Sequence, residues 1–393
     1  MSGKMDNIKS INWREKTSLF FSRMFFVLWS LIDAIIPNKS NLLIFSGGNG
    51  KFAGNSAFLF EYALKQSQYD SYFLVHTRVL YSELNSRFPG RIINSYTFTG
   101  FWTFLRSRVI FLTHGKGDVR PWPLNPSQKL IVNLWHGTHL KQVSVPMKEY
   151  SALIVSSPFE KKISYQAFGS SSSNYWLTGT PRTDILLKQA KSVPDDKIIL
   201  YAPTWREEQI QDEEGKKGAK IFPLKNFNIN ELVDLLDKHD AKLLFRWHSN
   251  DLIDEKSQEL YDCTKISDRL ILAGPEQYPD VQKLLLKSSI LITDYSTLMH
   301  DFLLLDRPII FFPYDYETYI RERGFYYDYN LFTPGPKIDS HSDFIKTLEK
   351  FLLNPQAGSK WRHLVSDIMF PQKDGMSSER IMNKVSDIIF QEK

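Results

Sequence analysis

The sequence predicts an α/β protein of two doubly wound, Rossmann-like domains that face each other across a cleft. Three observations predict it. Short apolar runs of strand character alternate with helical segments, at a spacing that indicates parallel sheets covered by helices on both faces. Polar turns recur at the carboxyl ends of those strands, the edge where open α/β sheets bind ligands. The 393 residues, 42% hydrophobic and 24% charged, exceed one small core and suit two globular domains.

Composition narrows the function. A net charge of +5 is too mild for a dedicated nucleic-acid protein, although a basic patch can still face anionic lipid or a phosphate substrate. The single cysteine, Cys263, permits no internal disulfide and fits a reducing compartment. No zinc spacing is present, and Asp315-Tyr316-Glu317 is only a near match to the Asp-x-Asp triplet that holds a divalent metal in many nucleotide-sugar transferases. The expectation is therefore no metal site and no cofactor.

Residues 1–39 read as an amphipathic, membrane-associating segment. Ser18 to Pro37 is apolar and aromatic, but Arg23 and Asp33 interrupt it, and its longest clean run falls far short of the roughly 20 residues that span a bilayer. It has no small-residue cleavage site for a secretion signal. Lys4, Lys9, Arg14, Lys16, Arg23 and Lys39 outnumber Asp6, Glu15 and Asp33, so the segment suits the interface of an anionic inner leaflet. The alternative is a helix packed on the protein's own surface.

The first domain is expected over 40–188. A strand at Leu42–Phe45 runs into Ser46-Gly47-Gly48-Asn49-Gly50-Lys51, glycines that permit close backbone approach without matching a Rossmann fingerprint or a P-loop. Strands follow at Tyr72–His76, near Ile92, and at Val109–Thr113, Leu130–Leu134, Ala152–Ser156 and Trp176–Thr178, with helices between the earlier ones. Leu130–Leu134 ends in Trp135-His136-Gly137-Thr138. That places an imidazole at a strand's carboxyl end, beside a glycine that leaves the backbone open, and imidazole suits proton transfer near neutral pH. Gly179 to Asp184 reads as the exit from this domain, and Lys188 to Lys197 as the linker.

The second domain is expected over 189–393, with the terminal helices included. Ile198–Tyr201 leads into Ala202-Pro203-Thr204-Trp205-Arg206, and Glu207–Lys220 reads as a mobile loop. The strand Lys242–Phe245 ends in Arg246-Trp247-His248. Ser288 to Pro313 organises the domain: strand Ile290–Thr293, a polar turn of Asp294 to Thr297, helix Leu298–Leu305 and strand Ile309–Phe312. Asp294 or Ser296 is placed to cap that helix, where free N–H groups favour an anion. Tyr314 to Phe332 reads as a lid, and Phe344–Leu353 and Glu379–Phe390 as terminal helices.

Across the cleft the first domain offers Asn49, Lys51 and His136, and the second offers Thr204, Arg206, Arg246, His248, Ser296 and Thr297. Arginine, hydroxyls and a helix amino end are the parts that hold a diphosphate and stabilise a phosphate leaving group. A histidine opposite them is placed to take the proton of an attacking hydroxyl. This chemistry points to transfer from a nucleotide-diphosphate donor to an alcohol.

Five ordered motifs, WHGT (135–138), TGTPRTD (178–184), YAPTWR (201–206), RWH (246–248) and TDYSTLMHDFLLLDRPIIFF (293–312), resemble the CDP-glycerol glycerophosphotransferase family, whose members prime and polymerise wall teichoic acid and certain capsules. The resemblance covers about residues 40–375. It implies a GT-B-like fold, the nucleotide in the carboxyl domain, and peripheral attachment to the cytoplasmic face of the bacterial membrane. It also implies CDP-glycerol as donor, a lipid-linked or polymeric acceptor, and release of CMP. By position His136 matches the family's proposed base, while His248 and the Ser296-Thr297 turn match its donor diphosphate groups. Asn49, Lys51 and Arg182, the last from TGTPRTD, are expected on the acceptor side. His139 stands where a proline commonly follows WHGT, and Ser249 where RxHP is common; both departures bear on acceptor specificity. The long extra amino-terminal domain of the large polymerases is not found, so the chain resembles a primase or a compact capsule enzyme.

Three alternatives stay open: ribitol-phosphate transfer from CDP-ribitol, a nucleotide-sugar glycosyltransferase or epimerase of GT-B architecture, and a non-enzymatic membrane-surface protein. The second calls for a carboxyl-domain glutamate pair or similar ribose clamp, and the third needs no paired histidines at strand ends.

Overall fold

The computed structural model describes residues 29–142, 150–169, 174–190, 194, 196–204, 222–246, 262–274 and 277–391. Among them are two all-parallel sheets. The first contains β1 (Lys39–Phe45), β2 (Asp70–Val75), β3 (Ile92–Asn94), β4 (Ser107–Leu112), β5 (Leu130–Asn133), β6 (Ala152–Val155) and β7 (Tyr175–Leu177), in the order β3-β2-β1-β4-β5-β6-β7. The second contains β8 (Lys197–Tyr201), β9 (Ala241–Phe245), β10 (Leu270–Leu272), β11 (Ile290–Thr293) and β12 (Ile309–Phe311), in the order β10-β9-β8-β11-β12. Strands such as Ala152–Val155 and Ile290–Thr293 are buried at every position, as strands covered on both faces must be. In each sheet the chain winds outward from its first strand, then returns and continues on the other side. The reversals fall between β1 and β4 and between β8 and β11.

Helix starts follow ordinary capping chemistry. Thr77, Thr97, Ser157, Asn228, Asp280 and Ser340 each accept a backbone N–H at the start of their helix. Among the helices that the sequence reading omitted are two of eleven residues each. Pro158–Phe168 is announced by Ser157, Pro158 and Glu160, which supply an N-cap, an N1 proline and an acidic first turn. Ser359–Met369 has no side-chain cap and starts after Gly358 in the left-handed region.

The last helix, Ser377–Gln391, departs from the expected division at 189–393. Its buried residues Ile381, Met382, Val385 and Ile389 join Leu43, Phe45, Leu59 and Phe73 in the core of the first sheet. Asp184 fixes its start, because the two carboxylate oxygens accept the N–H groups of Ser377 and Ser378 at 2.9 Å each. Gly179 has φ +80°, and a side chain there would meet Ser377 Oγ at 2.4 Å. The TGTPRTD stretch is therefore a docking seat for the last helix as well as the end of the first sheet.

Of the proposed membrane segment only 29–36 and the residues just after it are described. Its inner face is pinned to the protein: Trp29 is 3% exposed and stacks on Trp122 at 5.5 Å. Asp33, whose charge interrupts the apolar run, forms a fully buried pair with Lys129 at 2.8 Å and accepts from Asn125 at 3.0 Å. Leu31, Ile32 and Ile35 face outward, exposed. Among the described residues no helix is long and apolar enough to cross a membrane.

Candidate active site

The loops after β1 and β4 meet at the amino-side switch point and are tied by one residue the sequence reading missed. Asp118, fully buried, accepts the N–H of Asn49 at 3.2 Å and those of Thr113 and His114 at 2.8 Å each. It also accepts from Thr113 Oγ1 at 3.2 Å, and its carbonyl accepts from Ser46 Oγ at 2.5 Å. Glycines bring rings close: a side chain at Gly48 would come within 2.7 Å of the His114 ring, and one at Gly50 within 2.6 Å of the His76 ring. Asn49 takes φ +55° and is exposed, as is Lys51. The ammonium of Lys51 lies near enough to His114 to depress its pKa, after burial as the chief cause and against the opposing pull of Asp118.

His136 sits on the loop after β5. Asn55, at the start of helix Gly54–Ala63, donates to the carbonyls of Leu134 at 2.8 Å and Trp135 at 3.0 Å, so the preceding helix shapes this loop. Trp135 takes φ +49°, a conformation bulky residues avoid unless their surroundings impose it. The His136 ring stacks on His114 at 4.2 Å with 8° between planes, and its Nδ1 lies 3.4 Å from the Thr113 carbonyl. Solvent reaches the residue, yet it stands among protein groups. Burial, then the adjacent His114, lower its pKa to about 3.

At the carboxyl-side switch point Asp294 Oδ1 accepts the N–H of Thr204 at 2.8 Å and of Tyr295 at 2.6 Å, joining the loops after β8 and β11. Ser296 Oγ, not Asp294, takes the first helical N–H, that of Leu298, at 3.3 Å. The helix ends at Leu303, two residues earlier than the pattern suggested. Arg246 follows β9, one strand farther out. Its Nη1 donates to the Ala273 carbonyl at 3.0 Å and the Tyr278 carbonyl at 2.7 Å, and burial lowers its pKa.

The two sides touch. A side chain at Gly137 would come within 2.8 Å of Thr297 Oγ1, so glycine there brings the His136 loop directly against the Ser296-Thr297 turn. Arg182 closes the contact: it donates to the His136 carbonyl and forms a two-point pair with buried Asp301, Nη2 to Oδ1 at 3.0 Å and Nε to Oδ2 at 2.8 Å. Thr138 Oγ1 shares a 2.6 Å hydrogen bond with His300 Nδ1. Lys141 pairs with Phe325 as an isolated antiparallel bridge. Tyr314–Phe332, expected as a lid, is instead packed at this contact, with Tyr295 stacked on Tyr319 at 4.0 Å and Tyr329 buried. Its aromatic rings fill a core, which a detached flap would not require.

The structure thus brings Asn49, Lys51 and His136 to one wall and Thr204, Ser296 and Thr297 to the other. Arg246 stands farther along, and Arg206, His248 and the loop at 207–220 lie outside the described residues. Arg182, expected to meet the acceptor, is buried and engaged with Asp301, so it locks the walls together. His139 pairs at 3.3 Å with Glu160. Burial pushes the Glu160 carboxyl up, but the hydrogen bonds from His139 and Ser156 outweigh it and hold the pKa below the ordinary value. His114 carries the same signal as His136, a His-Gly pair at a strand's carboxyl end, and was legible by that rule. Among the described residues no group of three His, Cys, Asp or Glu side chains is placed to hold a metal.

The model of the CDP-Glycerol:Poly(glycerophosphate) glycerophosphotransferase family matches residues 28–387. The teichoic acid glycerol-phosphate transferase of Staphylococcus aureus is 28% identical over 387 residues, covering 89% of this chain and 94% of that protein. The teichoic acid poly(ribitol-phosphate) polymerase of Bacillus spizizenii is 28% identical over 386 residues; the match takes in 89% of this chain but 57% of the polymerase's length. Among solved structures, the wall teichoic acid polymerase TagF superposes with a TM-score of 0.70 at 21% identity, over 96% of this chain and 98% of that one. A putative UDP-N-acetylglucosamine 2-epimerase from Listeria monocytogenes gives a TM-score of 0.55 at 13% identity, over 90% and 98%. At these identities the structural likenesses establish a shared fold.

Proposed function

Because the chain belongs to the CDP-glycerol:poly(glycerophosphate) glycerophosphotransferase family, we propose that it transfers glycerol phosphate from CDP-glycerol to a hydroxyl of a lipid-linked or polymeric acceptor, in teichoic acid or capsule synthesis. The observation that carries this reading is the contact of Gly137 with Thr297, which sets a histidine loop against a hydroxyl-bearing turn where the two sheets face each other. In this reading the acceptor hydroxyl enters beside His136. The Thr113 carbonyl near Nδ1 favours a proton there, leaving the Nε2 lone pair to take the hydroxyl proton. The acceptor oxygen attacks the β-phosphorus and a new P–O bond forms. The bond from that phosphorus to the bridging oxygen breaks, and CMP leaves with the electron pair.

The depressed pKa keeps His136 neutral at physiological pH, the form a base requires. The negative charge of an arriving donor diphosphate raises its basicity at the moment of use. Ser296, Thr297, Thr204 and Arg246, with Arg206 and His248 by motif, hold the diphosphate in this reading. Asn49 and Lys51 flank the acceptor. The test is single-turnover release of CMP from CDP-glycerol with a defined acceptor. His136→Ala is expected to lower the rate about 10²–10⁴-fold with donor affinity little changed; a folded variant with near-wild-type turnover removes the assignment. The similarity to a poly(ribitol-phosphate) polymerase supports CDP-ribitol as a second candidate donor, so both are assayed side by side.

The amino-terminal segment is read as the attachment to an anionic bilayer at the cytoplasmic face. Deleting residues 1–28 spares the Trp29 and Asp33 pins and is expected to release the protein from anionic vesicles. Unchanged vesicle binding refutes this attachment.

A further inference from the structure

We propose that His114 is a positioning residue for His136: it covers one face of the base and, with the backbone of Thr113, fixes which ring nitrogen is free to accept a proton. The inference goes beyond the assignment of His136 as base and rests on that reading only for its kinetic consequence. The geometry comes from two consecutive residues. The Thr113 carbonyl lies 3.4 Å from His136 Nδ1, and the His114 ring lies parallel to the His136 ring at 4.2 Å. Both residues are anchored, because their N–H groups donate to buried Asp118 at 2.8 Å each. The His114 ring is itself held by Nδ1 and Thr113 Oγ1 at 2.8 Å. Gly48 leaves the ring its place, since any side chain there would come within 2.7 Å of it. Nothing in ordinary strand–helix packing calls for two parallel imidazoles at neighbouring strand ends.

The stack also acts through charge. Among the described residues, the titratable and charged groups that face His136 are His114 from the loop after β4, Arg182 from the turn after β7, and His139 from its own loop. His114 in turn faces Asp118 and Lys51. His114 and Arg182 both oppose protonation of His136. Removing the His114 imidazole therefore makes His136 easier to protonate, and the acid limb of the transfer rate moves to higher pH. A residue that merely fills space would leave that limb in place.

The test uses the full chain with isotope-labelled histidine, and the variants His114→Ala and His114→Phe. In the wild type the nitrogen shifts of His136 are expected to show the proton on Nδ1. His114→Ala is expected to lose that preference and to lower kcat by up to about 10²-fold, the scale of a small misplacement of a reacting group, with donor KM unchanged. His114→Phe keeps a flat ring over His136, and is expected to keep the tautomer and most of kcat while shifting the acid limb upward, as the alanine variant does. If the alanine variant does not fold, the phenylalanine variant decides alone through the position of that limb and the His136 titration. A His136 tautomer and titration unchanged by loss of the His114 imidazole overturns the proposal. The nitrogen shifts need no turnover, so a wild-type protein inactive on CDP-glycerol would refute the proposed function while leaving this inference to be decided on its own.

Discussion

At the amino-side switch point buried Asp118 draws in the N–H groups of Asn49, Thr113 and His114, and packed imidazoles complete the surface. At the carboxyl-side one Asp294 joins the N–H groups of Thr204 and Tyr295, and hydroxyls line the turn that follows. Both sheets solve the same problem, because a switch point leaves two divergent loops with unpaired backbone donors that a buried carboxylate can satisfy. The difference is in what is left over. The first wall presents rings whose proton affinity is set by their surroundings, and the second presents small donors suited to phosphate oxygens. In the proposed transfer that asymmetry puts the base on one side and charge stabilisation on the other.

The strongest way to break the comparison is to separate the walls. Arg182→Ala leaves buried Asp301 facing Gln282 without its cation; breaking a buried pair costs about 3–5 kcal/mol, which chemical denaturation measures. A loss below about 1 kcal/mol would mean the walls are held elsewhere. Next in size is the pair of aspartates. Asp118→Ala orphans three backbone donors and is expected to cost more stability than Asp294→Ala, with each lost hydrogen bond to a charged group worth about 1.5–3 kcal/mol. Equal losses would mean the two brackets do equivalent work. Ser296→Ala sharpens the division of labour. Calorimetry should show weaker CDP-glycerol binding by up to about 1.5–3 kcal/mol, with the His136 titration in the empty site unchanged. Unaltered affinity moves the donor elsewhere.

The smallest effect, counted per pH unit, is with pH. His300 is fully buried, and burial lowers its pKa from 6.5 to about 3; His136 is shifted the same way. Between those values the unfolded chain binds protons that the folded chain refuses. The stability that His300 contributes is therefore fully present above pH 6.5 and is lost as pH falls toward 3, at no more than about 1.4 kcal/mol per pH unit. His300→Gln should make the acid side of the stability profile shallower. An unchanged slope would mean His300 accepts a proton without cost in the folded protein.

What was legible follows from the range of each signal. Strands, their polar ends and the glycine-rich turn are local, so Leu42–Phe45, Trp135–Thr138 and Asp294–Thr297 could be read directly. Asp118, Asn55 and the Asp33–Lys129 pair were not, because a lone polar residue takes its meaning from partners far away in the chain. Arg182 was placed on the acceptor side from the TGTPRTD motif, and nothing local announces its pairing with Asp301, 119 positions away. The helix at Pro158 was missed although Ser157, Pro158 and Glu160 announced it. Ser377–Gln391 was recognised as a helix, but its amphipathic pattern does not say which sheet it covers.

That last helix bears on how the protein is made. During synthesis the first sheet is complete once β7 has emerged, yet the part of its core that the last helix covers stays open to water until the whole second sheet has followed and residues 377–391 appear. Leu59, Phe60 and their neighbours are exposed apolar surface for that interval, the condition under which nascent domains recruit chaperones or aggregate. The halves cannot mature strictly one after the other. The first to leave the ribosome is the last to be sealed.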